Sequence, residues 1–136
     1  MPTWVENDAD ACAWAEKWFG AARDRHDLVF LLADAGIGSG IIINDEIYRG
    51  RNAAGEVGHL TVDPNGLRCN CGNWECLETV ASGLALVRRM AVALKGGAKS
   101  ELAALTGGDP EAVRLEHLFL AAEHADPLVS GMLDEA

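Results

Sequence analysis

Basic residues are scarce in this chain and form no Lys/Arg-rich run. Eleven Lys and Arg stand against 21 Asp and Glu in 136 residues, for a net charge of -10 and a pI near 4.7. Such a chain repels a phosphate backbone, so direct nucleic-acid contact by this segment is not expected. No 18 consecutive apolar residues occur, and no membrane-spanning helix is expected. The opening MPTWVENDAD is acidic where a secretory signal needs a basic stretch followed by an apolar one. These absences read as a soluble, cytoplasmic protein. No internal repeat or low-complexity tract is present, and neither a dinucleotide G-x-G-x-x-G nor a Walker loop occurs. With 49% hydrophobic residues, the length suffices for one compact domain and falls short of two full lobes.

Cysteine is also sparse, with four residues, but three of them fall within eight positions: Cys69, Cys71 and Cys76. Cys69 and Cys71 are too close to bridge comfortably, and a second disulfide would have to join Cys76 to distant Cys12. Metal ligation by a reduced cluster fits better. His59 completes a set of three thiolates and one imidazole. Zn²⁺ so ligated carries a local charge near -1 and keeps no open position, the mark of a structural site. Carboxylates Glu56 and Glu78 bracket this loop. Cys12 lies on the first helix and reads as a core or near-core thiol.

The remaining pattern predicts an α/β arrangement. A helix over 7–19 follows Asn7 or Asp8 as its cap, with Ala11, Trp14, Ala15 and Trp18 as the apolar stripe and Gly20 as the stop. Three strands form a meander over 28–49: an apolar run at 28–33, a glycine-rich turn at 34–40 and a second run at 41–43. Asn44 and Asp45 then turn the chain into the third strand, 46–49. A loop at 50–56 leads to a short strand near 59–62 and then to the metal loop, 59–78. The tail, 79–136, is helical, with Leu77, Val80, Ala81, Leu84, Val87, Ala91 and Leu94 as one stripe ending at 95–100. Two Asp-Pro pairs, Asp109-Pro110 and Asp126-Pro127, each announce a further helix. The first helix starts close to residue 1 and the helical pattern is still running at 136, so both ends read as cut from something larger.

Several of these features have two readings. Asn7 and Asp8 are explained by capping alone; a functional Asp8 would be a general base accepting a proton from a sugar hydroxyl, with Asn7 holding neighbouring hydroxyls. Gly36, Gly38 and Gly40 would let backbone N–H groups approach a phosphate, or serve as a hairpin device. Glu56 and Glu78 are either solvated carboxylates or ligands.

Glu6-Asn-Asp-Ala9, Ala35-Gly-Ile-Gly-Ser-Gly40, Ala54-Gly-Glu-Val-Gly-His59, Cys69-Asn-Cys-Gly72 and Cys76-Leu-Glu78 occur in that order. Together they resemble the ROK family of sugar kinases and sugar-responsive repressors, from residue 5 to about residue 83. The resemblance implies a two-lobed actin-like, ribonuclease H-like ATPase fold, with this chain a single partial domain belonging to the C-terminal lobe. It implies sugar binding by Asn7, Asp8, Glu56, His59 and Glu78, with Asp8 the catalytic base in kinase members. It further implies a phosphate-binding role for Gly36, Gly38 and Gly40, and assembly as a dimer or tetramer. ATP and Mg²⁺ would be cofactors only in a kinase. Three departures bear on that choice. Asp34 and Ala35 replace a Gly-Thr pair, Glu75 replaces a glycine, and no Asp-x-Gly-x-Thr segment precedes the Asn-Asp pair. A carboxylate facing ATP phosphates is electrostatically wrong, so the expectation is the sugar-sensing part of a regulator. A sugar kinase and an inactive zinc-stabilised fragment are the alternatives, and this chain alone is expected not to phosphorylate sugars.

Overall fold

The protein is described here from a computed structural model covering residues 1, 3, 5–62 and 66–136. The predicted metal loop therefore includes three residues, 63–65, that lie outside the described set.

Asn7 caps helix α1, Asp8–Phe19: its side-chain oxygen accepts the N–H groups of Ala9 and Asp10 at 2.9 and 3.2 Å. The helix packs on a three-stranded antiparallel sheet of β1 (Leu28–Ala33), β2 (Ile37–Ile43) and β3 (Glu46–Ile47), in the order β1-β2-β3. The apolar stripe expected on α1 is not the face it buries. Ala9 and Ala13 are buried, whereas Trp18 is exposed and stacks on Trp14 with ring centroids 4.8 Å apart. The reason lies on the sheet, where a Cβ on Gly40 would sit 2.4 Å from the Ala9 carbonyl oxygen and 2.6 Å from the Ala13 Cβ. A glycine opposite alanines lets helix and strand approach closely, and a tryptophan face would hold them apart.

The predicted turn is shorter than 34–40. The strand resumes at Ile37, so Gly38 and Gly40 belong to β2, paired with Leu32 and Phe30. The third strand is also shorter than expected, covering only Glu46–Ile47, with Asn44 and Asp45 at positive φ in the turn before it.

Beyond β3 the chain makes two short 3₁₀ turns, Gly50–Asn52 and Val57–His59. No ladder strand forms near 59–62. His59 closes a turn instead, and Thr61 makes a single antiparallel bridge to Cys76. The helical stripe expected from Leu77 onward is broken at Ser82, giving α2 (Leu77–Ala81) and α3 (Gly83–Lys95). The extended Ser82 caps α3 through Ala85 N–H, and this break re-phases the helix. Ala85, Leu86 and Met90 are buried, while Leu84 faces solvent. A short helix, α4 (Leu102–Leu105), was not anticipated. Asp109-Pro110 yields only a 3₁₀ turn, and the next helix, α5 (Leu115–Glu123), starts five residues later behind Arg114. Asp126-Pro127 does open a helix, α6 (Pro127–Asp134). These helices enclose a core of Leu86, Met90, Leu102, Val113, Leu118, Ala121 and Val129. Among the described residues, no helix is long and apolar enough to cross a membrane.

Candidate functional site

The site is organised by one edge of β2. Strand β3 pairs only with Ile42 and Ile43, so the edge of β2 at residues 37–39 is left for other groups. In an antiparallel strand the backbone groups of alternate residues point to the same edge. Ile37 N–H donates to the Glu78 carboxylate at 3.1 Å, and Ser39 N–H donates to the Gly55 carbonyl at 3.0 Å. Gly38 lies against Ala9, whose side chain would be 3.5 Å from an added Cβ. Three consecutive strand residues thus anchor the three segments carrying Glu78, Glu56 and Asp8. By the same alternation the N–H groups of Gly38 and Gly40 turn toward β1. Backbone groups already committed to a ladder are not free to cradle a phosphate.

The loop reaches this edge because glycine permits it. A Cβ on Gly55 would lie 2.0 Å from the Ser39 carbonyl oxygen and one on Gly58 2.1 Å from the Ile37 oxygen. Glu56, held between them, is exposed, and its carboxylate lies 3.7 Å from His59 Nε2. Asn7 and Glu56 share a cleft of about 160 Å³ with Asp10, Arg49, Asn52 and Ser39. Asp8, His59 and Glu78 do not line that cleft. Glu78 borders a smaller recess of about 50 Å³ beside Ala35, Arg68 and Asn70. The Asp8 carboxylate accepts the Ala9 N–H at 2.8 Å and is otherwise open to solvent.

Among the cleft residues that sequence reasoning missed, Arg49 and Asp10 set its charge. Arg49 forms an ion pair with Glu6, 43 residues away in sequence, and no local pattern announces such a contact. Asp10 did carry a signal, since it sits three residues beyond Asn7 on the same turn. Burial, with a contribution from the nearby Glu6 charge, raises the Asp10 carboxyl above its ordinary range. The Asn7 backbone N–H and the Arg49 guanidinium lower that of Glu6.

Behind this edge the four expected metal ligands converge. Tight turns make this possible: Gly72 N–H donates to Cys69 O at 3.0 Å and Cys69 N–H to Asn73 O at 2.8 Å, with Gly72 and Glu75 both at positive φ. One ligand atom from each of His59, Cys69, Cys71 and Cys76 lies within 4.8 Å of all the others. Cys71 Sγ is 3.7 Å from Cys76 Sγ, and Cys69 Sγ is 3.6 Å from His59 Nδ1. Tetrahedral zinc with ordinary bond lengths requires S···S near ~3.8 Å and S···N near ~3.5 Å. The donor set and its spacing fit zinc, with Nδ1 as the imidazole ligand and Nε2 turned toward Glu56. That carboxylate lies beside the ring nitrogen the metal leaves open, at 3.7 Å and so beyond hydrogen-bond reach. In the metal-free thiols, burial and the neighbouring sulfurs push Cys76 up to about 12, while Asn73 and the neighbouring thiols lower exposed Cys71.

The family model described as ROK family matches residues 1–134. The chain belongs to the ROK family. It is 44% identical over 126 residues to a glucokinase from Thermotoga maritima, covering 90% of this chain and 38% of that protein. It is equally 44% identical over 91 residues to the xylose repressor of Bacillus subtilis, covering 66% of this chain and 24% of the repressor. A crystal structure of a ROK family glucokinase from Streptomyces griseus, in complex with glucose and AMPPNP, superposes with a TM-score of 0.87. The identity is 38%, over 97% of this chain and 43% of that one. The ROK chain therefore has an α/β architecture within the actin-like ATPase fold, as the motifs implied. It spans less than half the length of these relatives, and kinases and repressors match it alike.

Proposed function

We propose that this ROK chain is the sugar-binding, effector-sensing portion of a transcriptional regulator, forming part of the C-terminal lobe and stapled by one structural zinc. The observation that carries this reading is that residues 37–39 of β2 hold the Glu78 carboxylate and the neighbours of Glu56 and Asp8, namely Gly55 and Ala9. Carboxylates and an amide borne on separate rigid elements are suited to a ring of hydroxyls, each accepting one O–H. Asn7, Asp8, Glu56, His59 and Glu78 are assigned as sugar ligands. His59, Cys69, Cys71 and Cys76 would hold the metal, which supplies rigidity to the His59–Glu56 pair and no open coordination position. A reducing cytoplasm is the compartment this thiolate set suits.

The sensing role is favoured over catalysis by the commitment of Gly38 and Gly40 to the sheet and by Asp34 in the turn. A phosphate at that turn would meet a carboxylate and few free N–H groups. A kinase is the second reading, supported by the match to two glucokinases. There Asp8 would be the base, with ATP and Mg²⁺ as cofactors and Gly36 the remaining glycine of the turn. In the regulator, sugar binding would shift the orientation of lobes within a homodimer or tetramer.

Calorimetric titration of the purified chain with xylose, glucose and N-acetylhexosamines tests the proposal. One sugar is expected to bind, and Asp8→Asn is expected to weaken it about 10-fold or more, from loss of a charged hydrogen-bond acceptor. Absence of binding by all of these sugars would overturn the sugar-site assignment. ATP-dependent turnover by the chain, abolished by Asp8→Asn, would replace the sensing role with the kinase.

A further inference from the structure

The four ligand residues are not equally accessible. Cys69 and Cys76 are buried, at 4% and 0% exposure, whereas Cys71 is open to solvent. Its sulfur nonetheless lies 3.7 Å from that of Cys76. The two residues are separated by four others, including Gly72 and Glu75, both already at positive φ in a tight turn. One sulfur is thus exposed to small oxidants, with a second, shielded sulfur next to it.

We propose that Cys71 and Cys76 are a peroxide-reactive pair, a covalent modification site that unlocks the sugar-binding edge. This rests on the zinc reading, under which both sulfurs are thiolates, and the disulfide link is scored separately from zinc loss. The Cys71 thiolate attacks one oxygen of hydrogen peroxide, the O–O bond breaks, and Cys71 sulfenic acid and hydroxide result. The Cys76 thiolate then attacks that sulfur and expels a second hydroxide, leaving a Cys71–Cys76 disulfide. Two electrons leave the two sulfurs and reduce the peroxide. Only Cys69 and His59 then remain to hold a metal, too few for a closed tetrahedral site. With Nδ1 of His59 released, the metal no longer holds in place the ring whose Nε2 lies 3.7 Å from the Glu56 carboxylate. Cys76 also immediately precedes α2, so closing the disulfide pulls on the segment that carries Glu78 to Ile37.

The test uses the whole chain loaded with zinc, its metal content measured first. Peroxide is then titrated in, with a colorimetric chelator reporting released zinc and mass spectrometry reporting the thiols. Glutamyl endopeptidase cuts after Glu75 and so separates Cys71 from Cys76. The expected result is loss of one zinc per chain, together with a linked peptide pair whose fragmentation places the bond at Cys71. Thiol reductant plus zinc reverses both changes, and Cys12→Ser, outside the cluster, leaves them intact. Zinc retained while peroxide is consumed, a link to Cys12, or oxidation stopping at Cys71 sulfinic acid would each overturn the proposal. A chain that carries no zinc from the start sinks the metal reading instead, and the peptide link then still decides the dithiol chemistry on its own. Because Cys71→Ser removes a ligand and could unfold the loop, the decisive readout is the position of the bond in the unmodified sequence.

Discussion

Gly38 and Gly40 offer a paired test of whether this segment is a phosphate loop or a packing surface. An alanine at position 40 would place its Cβ 2.4 Å from the Ala9 carbonyl oxygen and 2.6 Å from the Ala13 Cβ. Ordinary contact needs about 3.5 Å, so α1 would have to move roughly 1 Å off the sheet. Overpacking of this kind costs about 1–3 kcal/mol, offset by ~0.5–1 kcal/mol because alanine loses less backbone entropy on folding. The net is about 1–2 kcal/mol, a fall in Tm of about 3–8 °C for a domain of this size. An alanine at position 38 meets only the Ala9 Cβ, at 3.5 Å, and Gly38 has no positive φ. Gly38→Ala should therefore be neutral, or stabilising by ~0.5 kcal/mol.

Because Asn7 and Asp8 ride on α1, Gly40→Ala should also weaken sugar binding, by up to ~10²-fold if the helix shifts by an ångström. Thermal unfolding with calorimetric sugar titration checks both quantities. If the two variants behave alike in stability, or if Gly38→Ala is the more damaging, the packing account of these glycines is wrong.

Chelation of zinc is expected to destabilise the chain, since metal binding to a site absent from the unfolded state adds directly to folding free energy; chelator titration followed by circular dichroism measures this. The metal-free chain should then lose stability as pH rises from the ordinary thiol value of 9.0 toward about 12, because folded Cys76 keeps its proton over that window while the unfolded chain releases it. The zinc-loaded chain should show no such loss, its thiolates being deprotonated already. Glu75, at φ 67°, sits where a side chain is strained. Glu75→Gly should stabilise by about 0.5–1 kcal/mol in urea unfolding, as relief of ~1–2 kcal/mol of strain outweighs the added flexibility. Asp126 is buried, which alone would raise its carboxyl, but the N–H groups of Glu101, Val129 and Leu128 and the Ser100 hydroxyl outweigh this and hold it below its usual 3.8. Its contribution is present above that value and lost as pH falls below it; Asp126→Ala should cost about 2–3 kcal/mol from a lost cap and orphaned donors.

Where a side chain itself carries the signal, the sequence was sufficient. The run Leu-Val-Phe-Leu-Leu-Ala at 28–33 is β1 without adjustment, Asn7 caps α1, and Asp126-Pro127 opens α6. His59 and the three clustered cysteines meet because ligand types at short spacings leave few ways to fold the loop. Failures came where the deciding partner is distant. Gly38 and Gly40 present no apolar pattern, so they read as turn, although Leu32 and Phe30 draw them into the sheet. The Trp stripe on α1 looked like the core face because nothing local reveals that β2 offers glycines to alanines. Asp109-Pro110 has a helix-start signature, but Val113 is extended and buried in the helical core, which stops the turn after Ala112.

The shortness of β3 ties these elements to function. A longer third strand would have paired the edge of β2 along its whole length and left no backbone groups for other partners. With β3 reduced to two residues, the edge groups at 37–39 still need partners, because an unpaired backbone group shielded from water is costly. The Glu78 carboxylate and the Gly55 carbonyl meet that need, and in doing so they fix Glu78 and Glu56 in place. Glu78 uses only its Oε2 in this contact, and among the described residues no hydrogen bond occupies its Oε1. One oxygen thus fastens α2 to the sheet while the other remains free to accept from a ligand hydroxyl. The satisfaction of a truncated sheet edge and the placement of the carboxylates proposed to bind sugar are the same set of contacts, so a change that disturbs one disturbs the other.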